Sequence, residues 1–412
     1  MDTAFEPTDA HSPLFERLCH PKMREEFLRR KSQKLKDWEL SELATYIKSE
    51  DCTHDLQALL AGEFDFPLPR QVKLRKSHSN RRRVIYIYPL RQNNLMKYIV
   101  WGMHEYDDIF SDSLYSFRRE INSLGLFKKI AQIDYARELY AVKADVHDYS
   151  ASIRPNILLP MVHSIVNQRD PALFSFLEYL ITRDEYLVDD EIVHGDMGGL
   201  PGVPLNCFFN NVYLMELDNI MASQAVLYSR YADDIAIFEE TREQAEAALV
   251  QTRAVVENLE ISLNEDKTKI IEPGGSIELL GIQIQDNNFD VADTTKAKAK
   301  TKLTHYANKL MRREQRGSIS KGEAAERLAN RIDRYFYGDD AEGHKLSWRR
   351  FFFDVLTRPD SLHEIDLTCQ DLLRRVATGK RGDARYRFRY EDMKALGYRP
   401  LVHEYYNRNR DR

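Results

Sequence analysis

Two β-rich runs, Ala225–Tyr231 and Ile235–Phe238, flank the short stretch Ala232-Asp233-Asp234. A strand, a tight connection and a second strand at this spacing read as a β-hairpin with two adjacent carboxylates at its tip. A third run, Leu139–Val146 (LYAVKADV), reads as a strand that carries Asp145 near its end. If these elements are neighbours in one sheet, Asp145, Asp233 and Asp234 converge at its edge. Gathered hard oxygens of this kind suit two Mg²⁺ ions, because magnesium takes a few carboxylates plus substrate phosphates. Such ions activate an attacking hydroxyl and hold leaving oxygens. The three aspartates are therefore the candidate metal ligands and catalytic residues.

The rest of the chain bounds where such a site can sit. Its 412 residues suggest two or three domains, and 43% hydrophobic with 30% charged residues is enough for a sizeable core. No run of 18 or more apolar residues occurs, so neither a membrane span nor a membrane partner is expected. The stretch Met1–Arg29 lacks the basic, apolar, small-residue order of a signal peptide. Cys19, Cys52, Cys207 and Cys369 are too scattered for a zinc site or a redox pair, and fit reduced thiols in a cytoplasm.

Net charge is −5, which by itself disfavours nucleic-acid binding, yet the distribution reverses that reading. Arg70–Arg91 holds eight basic residues and no acid, and Lys296–Arg313 seven and no acid. Arg374–Arg389 holds seven, with Asp383 the single acid. Three such blocks let an acidic chain bind a polyanion locally. Lys298, Lys302, Lys309 and Arg313 are spaced to share one helical face, as a helix lying along a duplex needs. Lys76 in the first block, and Arg385, Arg387 and Arg389 with Tyr386 and Phe388 between them, are further candidate nucleic-acid contacts. Residues 1–66 read as helical, Leu205–Met221 as one apolar helix, and the chain from Asp293 as helical with breaks at Gly317, Gly338 and Gly379.

Several signals fall in a fixed order: the basic block at 73–83, Ser116-Phe117-Arg118, Asp145, and the loop Gly198-Gly199-Leu200-Pro201-Gly202-Val203-Pro204. Tyr231-Ala232-Asp233-Asp234, Lys267-Thr268 and Leu279-Leu280-Gly281 follow. Over roughly residues 70–300 this series resembles the reverse transcriptases, and within them the bacterial group II intron and retron enzymes. The ending Gly397–Tyr406 resembles the "unknown group" of stand-alone bacterial reverse transcriptases, many of them anti-phage defence genes. Among those, the chain is most similar to class 2 of the defence-associated enzymes.

The resemblance implies roles residue by residue. Asp145 and Asp233 match the metal-binding carboxylates, with Asp234 as partner, and Lys267 matches a lysine beside the leaving pyrophosphate that could serve as general acid. Arg83 or its neighbour Arg82 matches an arginine on the nucleotide triphosphate, a task suited to the guanidinium fork. Gly202 and Pro204 match the nucleotide-side loop, in which Leu200 and Pro201 depart from the family pattern and Asn206 replaces its usual Ser. Five residues past the first aspartate the family carries Tyr or Phe, which excludes a ribose 2′-OH. Here that position is Ser150, and the aromatic is Tyr149. On an extended segment the two would point to opposite sides, so a relaxed sugar gate is expected.

The implied fold is α+β, a right-hand polymerase with an antiparallel palm sheet. Its expected divisions are an N-terminal helical extension (1–66), fingers (67–138), palm (139–290, with a fingers insertion at 155–195), helical thumb (291–345) and a C-terminal helical RNA-binding region (346–412). The implied activity is RNA-directed synthesis of a cDNA product from dNTPs and a noncoding RNA template, in phage defence. No second carboxylate cluster after residue 290 suggests an RNase H domain, and no Cys/His cluster suggests an endonuclease. Two alternatives stay open: a template-independent or protein-primed nucleotidyltransferase, which the altered loop would allow, and an RNA-binding scaffold with a vestigial palm.

Overall fold

A computed structural model of the chain describes residues 12–32, 35–75, 82–133, 138–338, 348–380 and 386–408. Lys76 and Arg385 lie outside the described residues. The chain divides into two compact units, one formed by Met1–Leu126 and Leu139–Glu272, the other by Phe127–Glu138 and Pro273–Arg412.

The first unit opens with four helices, α1 (Leu14–Leu18), α2 (Pro21–Ser32), α3 (Asp37–Ile47) and α4 (Glu50–Leu60). Strands β1 (Arg70–Arg75) and β2 (Arg82–Ile87) then pair antiparallel. Helix α5 (Leu90–Gly102) follows, and α6 (Ser123–Gln132) runs across the division between units. Beyond β3 (Tyr140–Asp145) come α7 (Tyr149–Ser152), α8 (Pro155–Val162) and α9 (Pro171–Ile181). Asp170 caps α9 by accepting from Leu173 N at 2.9 Å, and its other oxygen accepts from Leu14 N at 2.6 Å, so one buried carboxylate also anchors the N-terminal helices. Strands β4 (Glu185–Val188) and β5 (Glu191–His194) complete a four-stranded sheet in the order β2-β1-β4-β5.

Helices α10 (Asn206–Tyr213) and α11 (Met215–Gln224) lead into strands β6 (Leu227–Tyr231) and β7 (Asp234–Glu239). Helix α12 (Arg242–Asn258) starts in a capping box between Thr241 and Gln244, and β8 (Lys269–Ile271) closes the unit. The second sheet has the order β6-β7-β3-β8, entirely antiparallel. Strand β3 alternates, with Val142 and Ala144 buried on one face and Lys143 and Asp145 on the other. Helices α11 and α12 cover this sheet. A single apolar core joins Leu14, Phe27, Tyr98, Phe176, Phe209 and Ile235.

The second unit holds a three-stranded sheet of β9 (Ile277–Leu279), β10 (Ile282–Gln285) and β11 (Asn288–Val291). Helices α13 (Asp293–Gln315) and α14 (Lys321–Phe336) follow, then α15 (Trp348–Phe353), α16 (Asp360–Thr378), α17 (Tyr390–Ala395) and α18 (Leu401–Asn407). Helices α13, α14 and α16 pack on one another, and α16 also packs on β11. The small sheet thus falls in the same compact unit as these helices, which begins again at Pro273. The α+β class of a right-hand polymerase is the one observed. Among the described residues no helix is long and apolar enough to cross a membrane.

The C-terminal motif has a packing reason. Asp366, buried on α16, accepts from Leu401 N at 2.8 Å, Val402 N at 3.0 Å and Tyr398 Oη at 2.9 Å. It caps α18 from another helix, and burial raises its pKa even though these three donors pull it down. Arg399 lies 4.1 Å from the Tyr337 ring centre and bonds Asp333 at 2.8 Å. Asp366→Ala leaves three donors without an acceptor and should cost about 2–4 kcal/mol. Urea unfolding of the full chain would check this; a loss under about 0.5 kcal/mol would show the cap to be dispensable.

Candidate active site

Asp145 is the last residue of β3, and the register places it directly opposite Asp234, the first residue of β7. Asp233 lies in the turn between β6 and β7, and its carbonyl accepts from Val146 N at 3.3 Å. Two like charges facing across antiparallel strands repel, and lysines offset this. Lys267 Nζ bonds both oxygens of Asp145 at 2.9 Å, and Asn264 Nδ2 reaches Asp145 Oδ2 at 3.3 Å. Asp234 pairs instead with Lys143, two residues before Asp145 on the same strand face. Burial first, and then the Asp145 charge, raise the Asp233 pKa; Lys267 and Arg83 pull it down.

The turn itself is held by buried polar groups. Ala232 has φ of 57°, the left-handed region. Its N–H donates to Ser116 Oγ at 3.0 Å, and its carbonyl accepts from Arg230 at 3.1 Å. Arg230 is fully buried and bonds Asp218 through two nitrogens, at 2.7 and 2.5 Å. Burial disfavours the charged guanidinium, but the Asp218 charge and its hydrogen bonds outweigh that and raise the Arg230 pKa overall. Arg230 also takes the carbonyls of Asn210 and Asn211, at 3.3 and 3.2 Å. Those carbonyls belong to the last turn of α10, so the apolar helix expected over 205–221 breaks at Leu214.

The loop ahead of α10 lies between β2 and the segment after Asp145. A Cβ on Gly198 would come 2.7 Å from Ala151 O, and one on Gly202 would come 2.8 Å from Ile85 Cβ. Both glycines also have positive φ, 58° and 91°, so two constraints select glycine at each. Pro201 O accepts from Tyr86 N at 2.7 Å, and Pro204 O from Cys207 Sγ at 3.0 Å. Arg82 and Arg83 stand exposed on β2.

The region of Tyr149 and Ser150 differs from the extended segment expected. It is a helical turn, so the two side chains diverge by helical rotation rather than strand alternation. Tyr149 is buried and donates to Asn210 O at 2.6 Å, which removes its ring from any nucleotide pocket. Burial raises its pKa and keeps it a phenol donor. Ser150 is half-buried; its Oγ donates to Asn206 Oδ1 at 3.3 Å and accepts from Asn210 Nδ2 at 3.1 Å.

In the other unit, α13 sorts its cations. Lys296 and Lys300 bond Glu364 on α16, at 3.3 and 3.2 Å. Lys298, Lys302 and Lys309 are exposed and Arg313 is half-buried. Lys302 stands 5.0 Å from the Tyr335 ring centre. Arg387 and Arg389 are exposed, Tyr386 is half exposed under the Arg374 guanidinium, and Phe388 is half-buried.

Among the described residues no three metal-binding side chains converge on one point. Asp145 and Asp234 each carry a lysine partner, and with Asp233 they are the carboxylates at this edge of the sheet. Such carboxylates, completed by substrate phosphates, fit a hard divalent ion. Lys143, Asn264, Ser116, Asp218 and Arg230 were not marked as site residues by the sequence pattern. Two of them carried a usable signal: Ser116 as part of the Ser116-Phe117-Arg118 stretch, and Lys143 two positions before Asp145 on an alternating strand.

The reverse transcriptase (RNA-dependent DNA polymerase) family model matches residues 76–284, just over half of the chain. The chain belongs to this family. Among curated proteins no sequence matches it. Among solved structures it is similar to apo telomerase from Candida tropicalis, at 13% identity over 76% of this chain and 64% of that one, TM-score 0.45. The same telomerase truncated from its C-terminal domain gives 14% identity, 55% of each chain and 0.42. Telomerase from Candida albicans in complex with a TWJ fragment of telomeric RNA gives 10% identity, 82% and 64%, and 0.43. The chain spans 55–64% of the length of these structures.

The clamp on this reverse transcriptase turn is testable by stability. Asp218→Ala strands a buried guanidinium and should cost about 3–5 kcal/mol. Ser116→Ala, which removes one hydrogen-bond partner from Ala232, should cost about 1–2 kcal/mol. Guanidinium unfolding curves would measure both, and a near-neutral Asp218→Ala would show that Arg230 does not depend on its partner.

Proposed function

We propose that this reverse transcriptase is an RNA-directed DNA polymerase that copies a noncoding RNA template into cDNA, in a bacterial anti-phage setting. The observation that carries the activity is the register that sets Asp145 opposite Asp234, with Asp233 in the adjoining turn and Lys267 on Asp145. Two divalent ions, Mg²⁺ by the oxygen donor set, would supply Lewis acidity to the attacking 3′-hydroxyl and the leaving pyrophosphate. Asp145 and Asp233, with Asp234 as partner, are the residues that would hold them. Lys267 then turns from Asp145 to the leaving phosphates, and Arg82 and Arg83 offer guanidinium forks to the triphosphate. Lys298, Lys302, Lys309 and Arg313 on α13, and Arg387 and Arg389 further on, meet nucleic-acid phosphates. The defence role and the bacterial subclass rest on the order of motifs and the Gly397–Tyr406 ending.

Asp145→Ala and Asp233→Ala should each abolish dNTP incorporation on a primed RNA template with Mg²⁺ present, while leaving RNA affinity within about twofold. Lys298→Ala with Lys309→Ala should do the reverse. It should weaken binding to all sequences alike and flatten the salt slope by about 0.9 per lost phosphate contact. Synthesis by a purified aspartate variant would overturn the assignment. Product that ignores the added RNA sequence would point to the template-independent alternative.

Sugar selection follows from Ser150. No aromatic ring occupies this position, and that of Tyr149 is committed to Asn210. Ribonucleotides should therefore compete well. Ser150→Tyr should raise the dATP-to-ATP efficiency ratio by about tenfold to a few hundredfold, the reach of one pocket contact. Single-nucleotide incorporation by wild type and variant measures it; equal discrimination in both would place the gate elsewhere.

A further inference from the structure

We propose that Phe117 is a nucleobase-stacking residue that holds the terminal base of the strand being extended beside the catalytic turn. The inference rests on the polymerase reading above and adds a binding surface to it. Phe117 is 44% exposed, and its backbone has φ of 54°. A bulky residue in the left-handed region is a strained outlier, kept only where its surroundings over-determine it. Among the described non-glycine residues with positive φ it is the one aromatic. Asp189, Asp190, Asp286 and Asn287, by contrast, fill hairpin connections that ask for this conformation.

What over-determines Phe117 is visible on both sides. Arg230 N donates to Ser113 O at 2.9 Å and Tyr115 N to Arg230 O at 2.8 Å, so the segment runs alongside β6. Ser116 is fully buried and accepts from Ala232 N. Arg118 donates to Ser111 O at 2.9 Å, and its guanidinium lies over the Phe110 ring. With both neighbours fixed, the intervening residue projects outward, and its ring centre lies 6.4 Å from that of Tyr231, tilted 41°. The pair forms a partly exposed aromatic surface, with Tyr231 two residues before Asp233. A ring that served only the core would point inward. The flat apolar partner a polymerase brings to this point is a nucleobase. The growing strand's 3′-hydroxyl must reach Asp145 and Asp233, so the base on that same sugar is the one that meets Phe117 and Tyr231.

The test uses the full chain and an RNA template with a DNA primer ending in 5-iodouracil, which photocross-links to a stacked aromatic ring without any incorporation. The primer-terminal probe should cross-link to residue 117 in wild type. Phe117→Ala and Phe117→Gly should weaken primer–template affinity roughly 5- to 100-fold, the usual worth of one base stack. Phe117→Tyr, which keeps the ring, should bind as wild type. Phe117→Gly should melt at or above the wild-type temperature, since glycine accepts positive φ, and this separates lost binding from lost folding. Unchanged affinity in the alanine and glycine variants overturns the proposal. So does loss of binding in Phe117→Tyr, or cross-linking only from a template-strand probe. A wild type that cross-links and binds but never extends the primer refutes the polymerase reading and leaves the stacking site standing. A wild type that extends primers while Phe117→Gly binds normally does the opposite.

Discussion

One buried guanidinium fixes the geometry that everything at the site depends on. Arg230 lies on β6 just ahead of the turn that carries Asp233, and it bonds a carboxylate on α11, two carbonyls at the end of α10 and the carbonyl of Ala232. An arginine without water is costly unless its donors and its charge are matched. Here Asp218 matches the charge and the backbone takes the remaining donors. The same contacts explain two irregularities together: α10 stops without glycine or proline, and Ala232 holds a left-handed conformation without being glycine. A helix end and a turn are thus both consequences of one satisfied cation.

Charge compensation at the surface of the sheet follows a different logic. Asp145 and Asp234 face each other by register, and Asp233 adjoins them. The chain balances these anions with lysines on opposite sides, Lys143 from within the strand and Lys267 from beyond α12. The two lysines are not equivalent. Lys143 is largely buried, whereas Lys267 is mostly exposed and can swing away when other cations or phosphates arrive. A structural pair and an exchangeable pair therefore sit side by side.

The palm strands and the carboxylate hairpin were legible because their signals are local: alternation in β3, two apolar runs with a short connection, aspartates at element ends. The helical breaks near Gly317, Gly338 and Gly379 were legible for the same reason, since glycine punctuates locally. What escaped depended on distant partners. The break at Leu214 is caused by Arg230, the helical turn at Tyr149 by a bond to Asn210, and the start of α18 by Asp366.

The basic helix shows how an acidic chain can still present a cationic surface. Lys296 and Lys300 look toward α16 and pair with its Glu364, and Lys296 pairs with Asp293 as well. Lys298 and Lys309 look outward with no acid in the helix between them. Helical rotation alone separates the two sets, because residues two apart lie on different faces. Counting charge along the sequence merges them, which is why net charge argued against polyanion binding while the exposed face argues for it. These pairs link α13 to α16, and Lys298, Lys302 and Lys309 are the lysines left facing solvent.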